Sequence, residues 1–261
     1  MQDITIDAVI LREVLVGESD KLLTVLTAEN GIMTVSAKGV KNIKSKNSAA
    51  VQLFCHSTLE VTKKGQRYIL KTAALKNSFY GLRSEIERYA LACYIAETAV
   101  YFCTEQNDET DAMRLILNAF YALSSADGKP LWLIKAAYEI KLCSVCGFMP
   151  SLSYCACCSG NIGSSEKRYS FSFAESGIIC GKCSENNGGS SDNGSYYRLS
   201  AASLASLRFI TASPIERFLS FRISDEYSLE LSDFCERYLL YHAERSFDTL
   251  KYYNTVKYTS G

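Results

Sequence analysis

The chain has 261 residues, 28 Lys+Arg against 28 Asp+Glu, 48% hydrophobic residues, 15 Gly, 3 Pro and 11 Cys. This composition excludes a disordered or collagen-like chain, and at about 100–200 residues per domain the length allows one to three domains. No stretch reaches the roughly 18 consecutive apolar residues of a membrane span, and Met1-Gln2-Asp3 opens without the basic and apolar regions of a secretion signal, so a cytoplasmic location is expected.

Residues 1–80 read as β. Ile4–Leu11, Lys21–Thr27, Ile32–Ala37, Val51–Phe54 running on to Leu59–Val61, and Tyr68–Lys71 are short and rich in β-branched residues. Turn signals separate them at Val16-Gly17-Glu18-Ser19-Asp20, Glu29-Asn30-Gly31 and Lys63-Lys64-Gly65-Gln66. About five strands in a stretch of this size predict a small barrel of the OB type, with a six-stranded SH3-like barrel as the alternative.

Between the third and fourth predicted strands lies Lys38-Gly39-Val40-Lys41-Asn42-Ile43-Lys44-Ser45-Lys46-Asn47, with lysines every two to three residues. A second basic cluster follows at Lys63, Lys64 and Arg67. Residues 1–80 carry 11 basic and 7 acidic side chains, a balance of +4, and the remainder carries −4. A loop of this kind is either an ordinary solvated loop or one that tracks a phosphate backbone; on a basic barrel the second reading is favoured.

From Leu82 the apolar period becomes helical. Ile86, Tyr89, Ala90, Cys93, Ala96, Ala99, Val100 and Cys103 recur at three- and four-residue spacing and predict a helix over 84–103. The same test predicts helices over 109–125, 130–146, 200–211 and 228–250, with Asp127-Gly128-Lys129-Pro130 as a stop and restart. Residues 184–195 are a polar Gly/Ser/Asn-rich stretch, expected to be a mobile linker.

An odd count of cysteines could mean a disulfide framework, but Cys55, Cys93, Cys103 and Cys235 lie singly in apolar segments, as buried thiols do. Cys155 and Cys158 followed by Cys180 and Cys183 form two C-x2-C pairs, the spacing that presents four thiolates tetrahedrally to one Zn²⁺; four free or redox-active thiols are the alternative. Four sulfur ligands leave no open position, so such a site is structural. Cys157 would make a strained pair with its neighbours and is read as a bystander. Cys143 and Cys146 share the spacing but fall at the end of the helix predicted over 130–146, beside Ile140, and are read as core.

No phosphate loop, dinucleotide glycine fingerprint or G-x-S-x-G elbow occurs, so no catalytic residues are assigned. His56 and His242 lack the spacing of a metal pair and are read as packing or surface residues. Most of the 17 tyrosines fall on helical apolar stripes, as core or partner surface.

The chain resembles the RecO family of DNA repair and recombination mediators over nearly its full length. The segments that carry the resemblance are Ala8–Arg12, Gly17–Leu23, Glu29–Gly31 leading to Ala37–Val40, Tyr138–Leu142 with Gly147–Pro150, and Phe171-Ser172 followed by Gly177–Cys183. The resemblance implies an α+β multidomain protein, with an N-terminal OB-fold β-barrel over 1–80 and a mainly α-helical domain over 81–150 and 197–261. A four-cysteine zinc module and flexible linker would be inserted over 151–196.

It further implies a non-enzymatic, nucleoid-associated member of the RecF pathway. Such a protein binds single- and double-stranded DNA, anneals complementary strands and, with RecR, helps load RecA onto DNA coated by single-strand-binding protein, whose C-terminal tail it contacts. In this family the barrel is basic where Lys38, Lys41, Lys44 and Lys46 fall, and Cys155, Cys158, Cys180 and Cys183 match the zinc ligands. Relatives commonly carry apolar residues at Cys143 and Cys146. The competing readings are a protein-interaction adaptor with incidental DNA contact and a zinc-dependent hydrolase.

Overall fold

A computed structural model describes residues 2–42, 44–65, 67–125, 128–163, 167–186 and 196–257. The linker expected over 184–195 lies outside the described residues from 187 onward.

Five strands close the expected barrel: β1 (Gln2–Val16), β2 (Asp20–Thr27), β3 (Gly31–Ala37), β4 (His56–Lys64) and β5 (Arg67–Asn77), in the order β1-β2-β3-β5-β4. Closure is possible because β1 serves two partners. Gln2–Val9 pairs antiparallel with β4, and Ala8–Val16 with β2, with a register shift between Ile10 and Arg12 that bends the strand. The short parallel contact of β3 with β5, Val35 opposite Tyr68 and Ser36 opposite Ile69, completes the cylinder. Alternate residues point inward, so Ile10, Leu23, Val25, Val35, Leu59 and Val61 are fully buried together.

Two expectations about this region are corrected. β1 continues to Val16 rather than ending near Leu11. Val51–Phe54 is not the start of a strand but a turn that leads into β4. Its apolar residues are buried for other reasons: Val51 enters the barrel core, while Phe54 packs edge-on against Tyr89 and Phe120 at 5.6 and 5.3 Å. Phe54 takes a left-handed backbone (φ 68°), which no strand interior accommodates.

By contacts the chain forms two compact units. The first comprises residues 1–128 and 247–261: the barrel with α1 (Ile86–Phe102), α2 (Thr110–Ser124) and α7 (Asp248–Lys257). Here Gly31 matters. At φ +60° it passes so close to the α1–α2 connection that a Cβ would stand 2.0 Å from the Thr104 carbonyl oxygen, and Ile32 N donates to that oxygen at 2.9 Å.

The second unit comprises residues 129–246, with α3 (Leu131–Val145), α5 (Ala201–Ala212) and α6 (Ser228–Ala243). It also holds a three-stranded sheet, β7 (Gly177–Ile179)-β6 (Arg168–Ser172)-β8 (Tyr197–Ser200), and the short α4 (Gly181–Asn186). Grouping by contact thus differs from the expected grouping by fold type, since the helices divide between the two units.

The expected helix over 228–250 is two helices. Glu244 is left-handed (φ 51°) and ends α6, and α7 begins at Asp248. Leu239, Ala243, Phe247 and Leu250 keep helical spacing across the break and are all buried, so the apolar period conceals it.

α3 is buried on nearly every side, including three charged residues. Lys135 Nζ lies 2.7 Å from Glu139 and 2.8 Å from Glu236 of α6. Lys141 Nζ donates to the carbonyls of Thr211 and Ser213 at 2.9 and 2.6 Å, a cation on the otherwise unpaired end of α5. No described helix is long and apolar enough to cross a membrane.

Candidate nucleic-acid interface and metal centre

The loop after β3 is a chain of tight turns. Asn42 N donates to Gly39 O, Ser45 N to Asn42 O and Ser48 N to Ser45 O, at 3.2, 2.8 and 3.4 Å. Lys38, Lys41 and Lys44 each immediately precede one of these turn residues, so the turn repeat sets the lysine repeat. All three, and Lys46, are exposed. None of the four forms an ion pair with a described residue.

Three anchors hold the loop. Val40 is buried in the barrel core. Gly39 N and Lys41 N bond the β1–β2 hairpin at Asp20 Oδ1 and Ser19 O, 2.8 and 3.1 Å away. On the far side Asn47 bonds β5, donating to Lys71 O at 3.0 Å and accepting from Ala73 N at 3.1 Å.

The second basic cluster caps the β4–β5 hairpin, whose turn contains Gly65 at φ +62°. Lys63, Lys64 and Arg67 are exposed, and Lys63 Nζ sits 5.5 Å from the centre of the half-buried Tyr68 ring. Arg67 opens β5, the same strand that anchors Asn47 farther along, so β5 connects the two clusters along one strip of the barrel. Lys71 and Lys76 on that strand are instead tied to Asp3 and Asp7, at 2.5 and 2.7 Å.

Sequence reasoning missed one feature of this surface. At the end of the β1–β2 hairpin Val14, Leu15, Val16 and Leu22 are exposed at 42, 58, 50 and 40%. The signal was the apolar run that continues to the glycine turn at Gly17.

The second constellation is Cys155, Cys158, Cys180 and Cys183, whose sulfurs all lie within 4.8 Å of one another. Four sulfurs about a Zn²⁺ at 2.3 Å would be about 3.8 Å apart, and Cys158 and Cys180 stand at 3.8 Å. The backbone prepares this arrangement. Residues 155–160 fold into a knuckle in which Ser159 N bonds Cys155 O and Cys155 N bonds Gly160 O, both at 2.8 Å. Ala156 N bonds Ile178 O at 2.9 Å and holds the knuckle against β7, where a Cβ on Gly177 would come within 2.8 Å of Ser151 and 2.9 Å of Ala156 side chains.

The electrostatics favour a cation. Burial works to raise the Cys155 thiol, but the backbone N–H groups of Cys180, Cys158 and Cys157 outweigh it and bring the group down to about 6. Cys183 is pushed the other way by its hydrogen bonds to Cys180 and Cys158. Four thiolates this close repel one another, and a divalent cation at their centre neutralises them; the donor set could hold a metal ion.

Cys143 is fully buried, and burial pushes its thiol well up; neither it nor Cys146 joins the cluster. Cys157 is exposed and lies outside the four. His56 bonds Asp7 at 3.0 Å on the barrel, and His242 packs on Phe148 and Tyr238 with ring centres 4.8 and 4.5 Å away. Tyr94, Tyr138, Tyr238 and Tyr253 are core residues.

Two family models match the chain: "Recombination protein O N terminal" over residues 1–79 and "Recombination protein O C terminal" over residues 83–251. A protein named DNA repair protein RecO from Acetivibrio thermocellus is 28% identical over 248 residues, 95% of either chain. Its namesake from Symbiobacterium thermophilum is 25% identical over 252 residues, 97% of either chain. That from Caldicellulosiruptor bescii is 30% identical over 189 residues, covering 72% of this chain and 75% of its own.

Proposed function

The chain belongs to the RecO family of DNA repair proteins, and from that premise we propose that it is a non-enzymatic mediator of recombinational repair. It binds single- and double-stranded DNA through its barrel and anneals complementary strands. With RecR, and through the C-terminal tail of single-strand-binding protein, it helps RecA load onto coated DNA in the cytoplasm, at the nucleoid.

The observation that carries this reading is the anchored lysine loop. Lys38, Lys41, Lys44 and Lys46 are exposed without carboxylate partners among the described residues, on a loop tied at both ends to a closed OB-like barrel. Unpaired cations repel one another and are stabilised by a polyanion, and each phosphate they meet releases condensed counterions. Lys63, Lys64 and Arg67 extend the positive strip along β5, a length of surface that suits a backbone rather than a point charge. Two strands held on such a surface lose mutual phosphate repulsion, which is the main electrostatic barrier to their pairing.

Cys155, Cys158, Cys180 and Cys183 would hold one Zn²⁺, whose chemistry there is structural: it ties the knuckle to the start of α4 and leaves no coordination position for substrate. The metal would fix the knuckle beside the apolar contacts that already hold the sheet, where Phe171 packs on Phe234 and Tyr238.

A strand-annealing assay with complementary oligonucleotides, run with and without single-strand-binding protein, tests the reading. Faster annealing that persists on coated strands supports it; annealing at the uncatalysed rate in both conditions refutes it.

A further inference from the structure

We propose that the aliphatic tip of the β1–β2 hairpin is a base-contacting element that lets the barrel distinguish unpaired from paired nucleic acid. The inference rests on the DNA-binding reading above and deepens it. Val14 stands directly opposite Leu22, and Val16 opposite Asp20, so Val14, Val16 and Leu22 share one face of the ribbon. Leu15 projects from the other face, opposite Lys21. All four aliphatic side chains are 40–58% exposed, and the space beside Gly17 at the turn is open. An apolar ribbon tip on a soluble barrel costs hydration free energy unless something covers it.

What covers it is indicated by what is bonded to it. Ser19 and Asp20 hold the first turn of the lysine loop, at 3.1 and 2.8 Å, so the apolar tip and the unpaired cations are joined side by side. Of the three acidic groups at the hairpin end, Asp20 accepts from Gly39 and Glu13 is 2.7 Å from Lys21, while Glu18 is exposed at the turn. A ligand that matches this pairing is a chain of phosphates with apolar faces alongside, which is a strand with exposed bases. A duplex offers the phosphates but hides the faces of its bases in the stack, while aliphatic side chains can pack on or wedge between bases that are free. The lysines would therefore supply affinity for any DNA, and the tip would add affinity for unpaired bases alone.

The test uses the full chain and a Leu15→Ser/Val16→Ser variant, which touches no core residue; its thermal melt checks the fold. Fluorescence anisotropy with a poly-dT single strand and a blunt duplex of equal length should show single-strand affinity falling about tenfold while duplex affinity stays within twofold. In addition, Leu15→Trp should change its emission on adding the single strand and not on adding the duplex. Unchanged single-strand affinity, an equal loss for both ligands, or a tip that partitions onto phosphatidylglycerol vesicles with DNA affinity unaltered would each overturn the inference. If the unmodified protein binds neither oligonucleotide, the DNA-binding reading itself fails, a result distinct from wild-type binding that the variant retains.

Discussion

Gly39 N donates to the Asp20 carboxylate at 2.8 Å, linking the first turn of the basic loop to a hairpin 19 positions earlier in the chain. A hydrogen bond to an ionised acceptor is among the stronger kinds, contributing about 1.5–3 kcal/mol. Asp20→Ala removes it and leaves the lysines in place. DNA affinity should fall roughly threefold to tenfold through loosened positioning. The amides of Gly39 and Lys41 should exchange with solvent faster, which hydrogen exchange measured by NMR reads directly.

The cysteine cluster predicts an asymmetric mutation series. Cys158→Ser or Cys180→Ser should abolish stoichiometric metal and lower the melting temperature, because a tetrahedral thiolate site loses most of its affinity with one ligand. Cys157→Ser and Cys146→Ser should retain one metal per chain. Elemental analysis of the purified variants, with zinc in the growth medium, separates the two groups.

Lys135 is 3% exposed and Glu139 not at all, with 2.7 Å between them. Burial opposes the charge on Lys135, but the carboxylates of Glu139 and Glu236 outweigh it and raise its pKa. Lys135→Ala strands the fully buried Glu139 carboxylate and should destabilise the unit by about 3–5 kcal/mol in urea denaturation. The double variant Lys135→Met/Glu139→Leu should recover most of that loss, since apolar groups of similar volume need no partner.

Acid should weaken the second unit through Glu230. Burial works to raise its carboxyl, yet Ser203, Ser200 and Arg168 hold it below its ordinary 4.5. Ser200 N donates to it at 2.7 Å, and Ser200 caps α5 by accepting from Ser203 N. A carboxylate with a lower pKa folded than unfolded stabilises the fold in full above the unfolded value. That contribution is lost as pH falls through the folded value. The melting temperature should therefore hold steady above about pH 5.5 and decline below about pH 4.5, with a shallower decline for Glu230→Gln.

How much of this was legible in the sequence depends on whether the cause was local. The barrel strands and α1, α2, α3 and α5 could be read because alternate or three-to-four spacing of apolar residues is a direct imprint of one buried face. The four cysteines could be read because a metal knuckle demands its spacing. Val51 and Phe54 misled because a turn that plugs a core is as apolar as a strand. The break at Glu244 was hidden because Phe247 and Leu250 stay in helical register after it. The buried charges of α3 were invisible for a different reason: beyond the i,i+4 pair of Lys135 with Glu139, Lys135 and Lys141 find their partners in α6 and at the end of α5, up to 101 positions away. The link between Asp20 and Gly39, which turns a lysine-rich loop into a positioned surface, is likewise an interaction through space.

The most direct test of the account is the salt dependence of single-strand binding by the wild-type protein and by a variant with Lys38, Lys41, Lys44 and Lys46 all replaced by Ala. For the wild-type protein, affinity should fall steeply with salt. For the variant, affinity should be at least tenfold lower at low salt, and the slope of log affinity against log salt should be shallower by about 0.7 for each phosphate that the variant no longer neutralises. An unchanged affinity and an unchanged slope would contradict the assignment of this loop as the DNA-binding surface.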